Sequence, residues 1–170
     1  MNNNNNIDSY TPDMDGKNHI NIHLESKTDV GRKICHFFRS PFTHPILGPF
    51  VSMEGFWHYI QSIERPETMR ELYGMRAKEA GKLLTWRKVN NFKDIILAAN
   101  YYKIEQDEEL KKEFLRSSLP FDMYYVFVPE VGEPMQIRRD QNKWLIECFE
   151  KIRTMMQHGE RPVLNPDDYL

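Results

Sequence analysis

Cysteine is scarce: Cys35 and Cys148 are the only two in 170 residues. They form no C-x-x-C pair, which excludes a cysteine-built metal framework. Long apolar runs are missing as well. None approaches the ~20 residues a membrane-spanning helix needs, and the first residues lack the basic-then-apolar order of a secretory leader. Neither sign of charge dominates. Lys and Arg number 23 against 25 Asp and Glu, a net charge of -2 that gives no global pull toward nucleic acid or an anionic membrane, though a local basic groove stays open. There is no G-x-S-x-G, no P-loop and no G-x-G-x-x-G, so acyl transfer and standard nucleotide hydrolysis have no support. His19, His23 and His36 do not fall at zinc spacing with carboxylates or thiols. These absences point to a soluble protein of the reducing cytoplasm with no metal, no cofactor and no membrane partner.

What is present suffices for a core. Hydrophobic residues make up 40% and charged residues 28%. At this length one domain burying roughly 70% of the unfolded surface is expected. Residues 1–18 carry an asparagine run, Pro12 and Gly16, a composition that predicts a flexible tail. Residues 158–170 hold two prolines and little periodicity, which predicts an extended tail and leaves 19–157 as the domain. No internal repeat is present, and nothing in the sequence sets an oligomeric state.

Within the domain, Ile20 to Leu24 alternates apolar and polar side chains as a half-buried strand does. Residues 37–51 contain three prolines and read as an aromatic-rich ordered loop with a short strand at Pro49–Val51. Ser52 is placed to cap a helix to about Ser62. A second helix is expected over Glu67–Leu84, a third after an Asn90 cap, and a fourth over Asp107–Arg116. Met123–Val128 is the best strand. A last helix over Asp140–Gln157 aligns Trp144, Leu145, Cys148, Phe149, Ile152 and Met156 on one stripe. The sum is an α+β class: a mostly helical single domain with a small sheet.

The stretch from Ser52 to Gln61 carries the most chemistry. Helical geometry puts Glu54, Trp57, His58 and Gln61 on one face, with Phe56, Tyr59, Ile60 and Ile63 pointing elsewhere. An acid, an aromatic plate, an imidazole and an amide in one stripe suit a nucleotide-like ligand; a capped surface helix is the alternative. On the second helix Lys78 shares a face with Gly74, Ala77 and Gly81. It either meets a phosphate or carboxylate there or runs past the glycines to water. Trp86 and Arg87 follow, Arg87 being able to clamp a diphosphate or to sit in an ordinary loop. Arg138 and Asp140 precede the last helix in the same manner, with Asp140 a candidate acid or a helix cap.

Phe38-Arg39-Ser40-Pro41-Phe42, followed by Gly48-Pro49-Phe50-Val51-Ser52-Met53-Glu54, resembles the entry motif of the NADAR (YbiA-like) family. Ala77-Lys78-Glu79-Ala80-Gly81-Lys82 resembles the family's A-K-x-x-G segment, Arg87 and Lys93 its following basic positions, and Asn142-Lys143-Trp144-Leu145 its closing helix start. The resemblance spans about residues 31–153, and the short, asparagine-headed form is similar to small phage-encoded relatives. Three departures stand out: Gly55 replaces the family's common histidine after the glutamate, Trp86 precedes Arg87 where the family tryptophan follows, and the glycines around the closing motif are missing.

Family members are N-glycosidases that cut a ribose C1–nitrogen bond, in riboflavin-pathway intermediates or in ADP-ribose attached to guanine. The resemblance implies a YbiA-like fold and a hydrolase whose substrate is an ADP-ribosylated nucleotide or nucleic acid. It makes Glu54 the catalytic carboxylate and Asp140 a stand-in for the family's late acid. It matches Lys78 and Arg87 to ligand-contacting positions; from the residues themselves Arg138 joins them against the phosphates, Trp57 would stack on a base, and Arg39, His58 and Trp86 are further substrate-binding candidates. A phage-encoded member would act in the host cytoplasm, reversing ADP-ribosylation. Two rival expectations remain: an inactive module that sequesters ADP-ribose, and a protein adaptor using Tyr101, Tyr102 and the Met123–Val128 strand.

Overall fold

A computed structural model of the chain describes residues 10–170; the asparagine run lies outside the described residues. Its frame is helical. Helix α4 (Phe92–Gln106) runs through the middle, buried nearly all round from Ile95 to Ile104. A helix apolar on every side must be covered on every side, and α4 divides two cores. Leu97, Tyr101 and Ile104 meet Ile20, Ile34, Phe114, Phe149 and Ile152 from β1 (Ile20–Asn21), α1 (Asp29–Ile34), α5 (Glu108–Arg116) and α6 (Trp144–Gln157). Ile95, Ile96 and Ala99 meet Phe42, Phe50, Met53, Phe56 and Ile60 from β2 (Phe42–His44), β3 (Gly48–Phe50) and α2 (Met53–Gln61). The expected α+β class with small sheets is what forms.

Among the described residues the strands make three two-stranded pairings. β1 lies parallel to β4 (Phe121–Asp122), β2 pairs with β3 as a hairpin, and β5 (Tyr124–Phe127) pairs antiparallel with β6 (Gln136–Arg139). The 37–51 segment is thus more regular than its prolines suggest, because Phe42 and Phe50 face each other across the hairpin and both reach the core. β6 was not foreseen. Gln136–Arg139 has no apolar alternation, and its register is imposed by β5.

Other boundaries moved for identifiable reasons. The helix expected over 67–84 is two pieces, a 3-10 turn at Glu67–Glu71 and α3 (Gly74–Lys82). Gly55 of α2 lies so close that a Cβ there would sit 2.3 Å from the Met69 carbonyl oxygen and 2.9 Å from that of Leu72. Leu72 O accepts the Ser52 hydroxyl instead of a helical N–H, and Gly74 turns the chain at φ +55°. The third helix is preceded by Asn91, not Asn90; it is left-handed at φ 56°, and its side chain bonds Asp168. α6 starts at Trp144 rather than Asp140, since β6 holds the chain extended to Arg139.

The two tails are folded where they are described. The Asp15 carboxylate accepts from Asn21 N–H, Lys27 N–H and the Ser26 hydroxyl at 2.8–2.9 Å, and Tyr10 stacks on His19. Residues 10–18 therefore belong to the body. At the other end the chain runs extended and then turns at Pro166–Tyr169, seating Tyr169 with its ring 4.7 Å from His44.

Lys103 on α4 is 1% exposed, and among the described residues its ammonium donates only to Cys35 O at 3.3 Å. Burial lowers its pKa to about 8. A buried charge with one neutral acceptor costs more than it returns. Lys103→Met is accordingly expected to stabilise the fold by about 1–3 kcal/mol, read as a higher urea midpoint. A lower midpoint would mean that the Cys35 carbonyl bond outweighs the desolvation.

Candidate functional site

A cavity of about 560 Å³ opens where the two cores meet. Its walls come from α2, α3, the 35–37 loop, β5, the turn after β1 and the β6–α6 junction. Ser52 begins it: its hydroxyl oxygen accepts Gly55 N–H at 3.0 Å and closes the first turn of α2. Glu54 follows, its own N–H bonded to His36 O at 3.0 Å, so the 35–37 loop is clamped to that turn. The carboxylate points into the cavity with 13% of its side chain exposed, in the first turn where the helix dipole favours an anion.

One helical turn later His58 Nε2 lies 3.1 Å from Glu54 Oε1. His58 is 6% exposed and its Nδ1 is buried without a partner among the described residues. The ring is pressed against Gly81, where a Cβ would fall 2.2 Å from its Cγ. Small residues on α3 do admit a close neighbour, and that neighbour is an imidazole. Trp86 closes this corner, its indole N–H donating to Gly81 O at 3.1 Å and its ring 5.8 Å from His58.

Trp57 faces the cavity from within an aromatic group, 4.7 Å from Phe92, 5.8 Å from Trp144 and 5.7 Å from His36. Lys78 is exposed and places its Nζ 5.6 Å over the Phe37 ring. It has no ion-pair partner among the described residues, whereas Lys82 one turn on is paired with Glu79 at 2.8 Å. Asp140 enters from the far wall. Its N–H bonds Met123 O, and its Oδ1 accepts Asn142 N–H at 2.7 Å.

Glu54, Trp57, His58, Lys78, Trp86 and Asp140 therefore line one cavity. Arg39, Arg87 and Arg138 lie outside its lining. Arg39 is exposed. Arg87 donates to Leu170 O at 2.8 Å and to Ile60 O, clasping the C-terminal segment. Arg138 lies over the Phe127 and Tyr125 rings of the β5–β6 hairpin at 4.9 and 5.9 Å. Sequence reasoning missed His36, Phe37, Tyr124, Tyr125 and Asn142 as wall residues. His36 stands in no motif, and Tyr124 and Tyr125 read from pattern alone as strand residues.

Burial sets the electrostatics of the wall. It drives the His36 imidazole down to about 3, with the Lys103 charge adding to the effect. Tyr124, hydrogen-bonded through its hydroxyl to His19 Nε2 at 2.7 Å, is held above the ordinary phenol range by burial and then by Asp15 and Asp122. Among the described residues no group of three His, Cys, Asp or Glu side chains is placed to hold a metal ion, and no helix is long and apolar enough to cross a membrane. The cavity offers carboxylates at two walls, ammonium groups along α3 and rings between them. That set suits a ligand with a planar group, an anionic group and a centre that gains positive charge. Comparison with protein-family models, curated proteins and solved structures finds no match for the chain.

Proposed function

We propose that the protein is an N-glycosidase that hydrolyses a ribose–nitrogen bond, with ADP-ribose on a guanine base or nucleotide as the substrate. One observation carries the reading: the Glu54 carboxylate, held by His58 at 3.1 Å, faces a cavity walled by rings and flanked by Lys78. Breaking a ribose–nitrogen bond puts positive charge on C1 and the ring oxygen. A carboxylate about 3 Å away stabilises that charge and orients the attacking water. As the water oxygen bonds to C1, the C1–nitrogen bond breaks, and the water's proton passes by way of the carboxylate or solvent to the departing nitrogen. O-glycosidases ordinarily need two carboxylates; a purine nitrogen is a good enough leaving group for one to suffice. Trp57 and Trp86 supply ring faces for the base, Lys78 neutralises phosphate, and Asp140 stands across the cavity as the second acid.

The NADAR resemblance supports the same assignment of Glu54 and Lys78. It also carries the expectation of a cytoplasmic protein, acting in the host cytoplasm for a phage-encoded form.

The test is ADP-ribose release from an ADP-ribosylated guanine oligonucleotide, followed by mass spectrometry for wild type and Glu54→Gln. Removing one preorganised charge typically costs ~10²-fold in turnover, and a loss of that size is expected with the melting temperature little changed. A full-rate Glu54→Gln protein would remove Glu54 from the chemistry. Saturable ADP-ribose binding without release would make the protein a sequestering module instead.

A further inference from the structure

His58 lines the cavity, yet neither of its nitrogens is free to meet a ligand. Nε2 is engaged by Glu54 Oε1 at 3.1 Å, and Nδ1 is buried against Gly81 without a partner among the described residues. The Gly81 carbonyl already accepts from the Trp86 indole at 3.1 Å. These contacts decide where the imidazole proton sits. A proton on Nδ1 would be a buried donor with no acceptor, a costly arrangement. A bare Nε2 would turn its lone pair on the carboxylate. Only the neutral ring with its proton on Nε2 places a donor against an acceptor and leaves no buried N–H unmet.

We infer that His58 is a positioning residue: its Nε2–H donates to Glu54 Oε1, and this fixes Glu54 Oε2 as the oxygen presented to the reacting centre. Oε2 has no partner among the described residues. The inference rests on Glu54 being the catalytic carboxylate, and it adds which oxygen acts and what holds it. His58 is not a proton shuttle. With Nε2–H committed and Nδ1 walled off, the proton taken from water by Oε2 reaches the leaving nitrogen directly or through solvent. Gly81 belongs to the device, since any side chain there would push the ring off the carboxylate.

Two measurements test this. Long-range proton–nitrogen NMR of the nitrogen-15-labelled protein at pH 7.5 is expected to show His58 neutral with its proton on Nε2. An imidazolium, or a proton on Nδ1, would overturn the assignment whether or not the protein turns over any substrate. Kinetics on the ADP-ribosylated guanine oligonucleotide supply the role. Misplacing a reacting group by about 1 Å costs on the order of 10²-fold, so His58→Leu is expected to lower kcat about 10²-fold with KM within twofold. His58→Gln, whose amide N–H falls near the place of Nε2–H, is expected to recover kcat to within about tenfold of wild type. A rise in KM at unchanged kcat would make His58 a ligand contact and sink the positioning role. A wild-type protein with no turnover would instead defeat the glycosidase reading, while the NMR result would still decide the proton.

Discussion

Gly81→Ala is expected to cost about 3 kcal/mol of stability, at the upper end of overpacking effects, and to lower glycosidase turnover at least 10²-fold. The added methyl would stand 2.2 Å from Cγ, 2.3 Å from Nδ1 and 2.6 Å from Cδ2 of His58. Those distances are far inside van der Waals contact, and the open side of the ring is the cavity, away from the carboxylate. Glu54 holds its other edge, and Trp86 lies 5.8 Å away. Either α3 moves back, taking Lys78 and Lys82 with it, or the imidazole leaves the carboxylate. Both outcomes dismantle the site. For a chain of this size the stability loss corresponds to a drop of roughly 6–12 °C in melting temperature. The double variant His58→Ala with Gly81→Ala separates the two effects. Shrinking the ring removes the clash, so stability is expected to recover relative to the summed single changes while turnover stays low. A Gly81→Ala protein that melts like wild type would show that the two helices are not wedged together at this ring.

How far this site was legible in the sequence depends on distance along the chain. Glu54, Trp57 and His58 lie within one and a half turns of one helix, so spacing alone aligned them, and Ser52 gave the helix its start. Trp86 and Lys78 follow within two short elements and also reach the cavity. Arg87 shows where this reasoning stops. Its guanidinium was free to choose between a ligand phosphate and a backbone oxygen, and it takes Leu170 O, 83 residues away. Arg138 was likewise undecided until β6 paired with β5 and set it over Phe127. A side chain that reaches several ångströms from its own backbone is assigned by what tertiary folding brings near it, and local pattern carries no record of that.

The fold shows the same division. The strongly patterned helices α2, α5 and α6 appear within a few residues of their expected spans, because each has an apolar stripe and two of them a side-chain cap, Ser52 and Asp107. The break between Glu71 and Gly74 has only Gly74 as a local signal, and a single glycine is tolerated within a helical pattern. It arises because α2 presses Gly55 onto the Met69 and Leu72 carbonyls, a contact between segments. Residues 10–18 are held in place by a contact of the same kind. Their composition is that of a tail, but the single Asp15 carboxylate gathers three donors from residues 21–27 and anchors the segment.

Acid is expected to destabilise the protein progressively below pH ~6.5, before the carboxylates titrate, through two histidines whose folded-state pKa values are depressed. His44 is fully buried beside Phe56, Tyr102 and Tyr169. Its Nδ1 accepts the N–H groups of both Ile46 and Leu47 at 3.2 Å, so it closes the β2–β3 turn as an acceptor and cannot take a proton there without breaking that turn. Burial accordingly lowers it to about 4, while burial and then the Lys103 charge hold His36 at about 3. Both values lie below the unfolded value near 6.5. Between the two values the unfolded chain binds more protons than the folded one, so stability is complete above pH ~6.5 and falls as pH drops toward 4. Each histidine contributes a slope of up to about 1.4 kcal/mol per pH unit, on the order of 5 kcal/mol together by pH 4. That sum is comparable to the entire stability of a typical domain. Urea unfolding at pH 7.5, 6, 5 and 4.5 reads the slope directly. His44→Asn supplies the control, because its Oδ1 takes the place of Nδ1 as acceptor and does not titrate. It is expected to remove about half of the slope while keeping the fold at pH 7.5. An unchanged slope in that variant would place the acid sensitivity elsewhere in the chain.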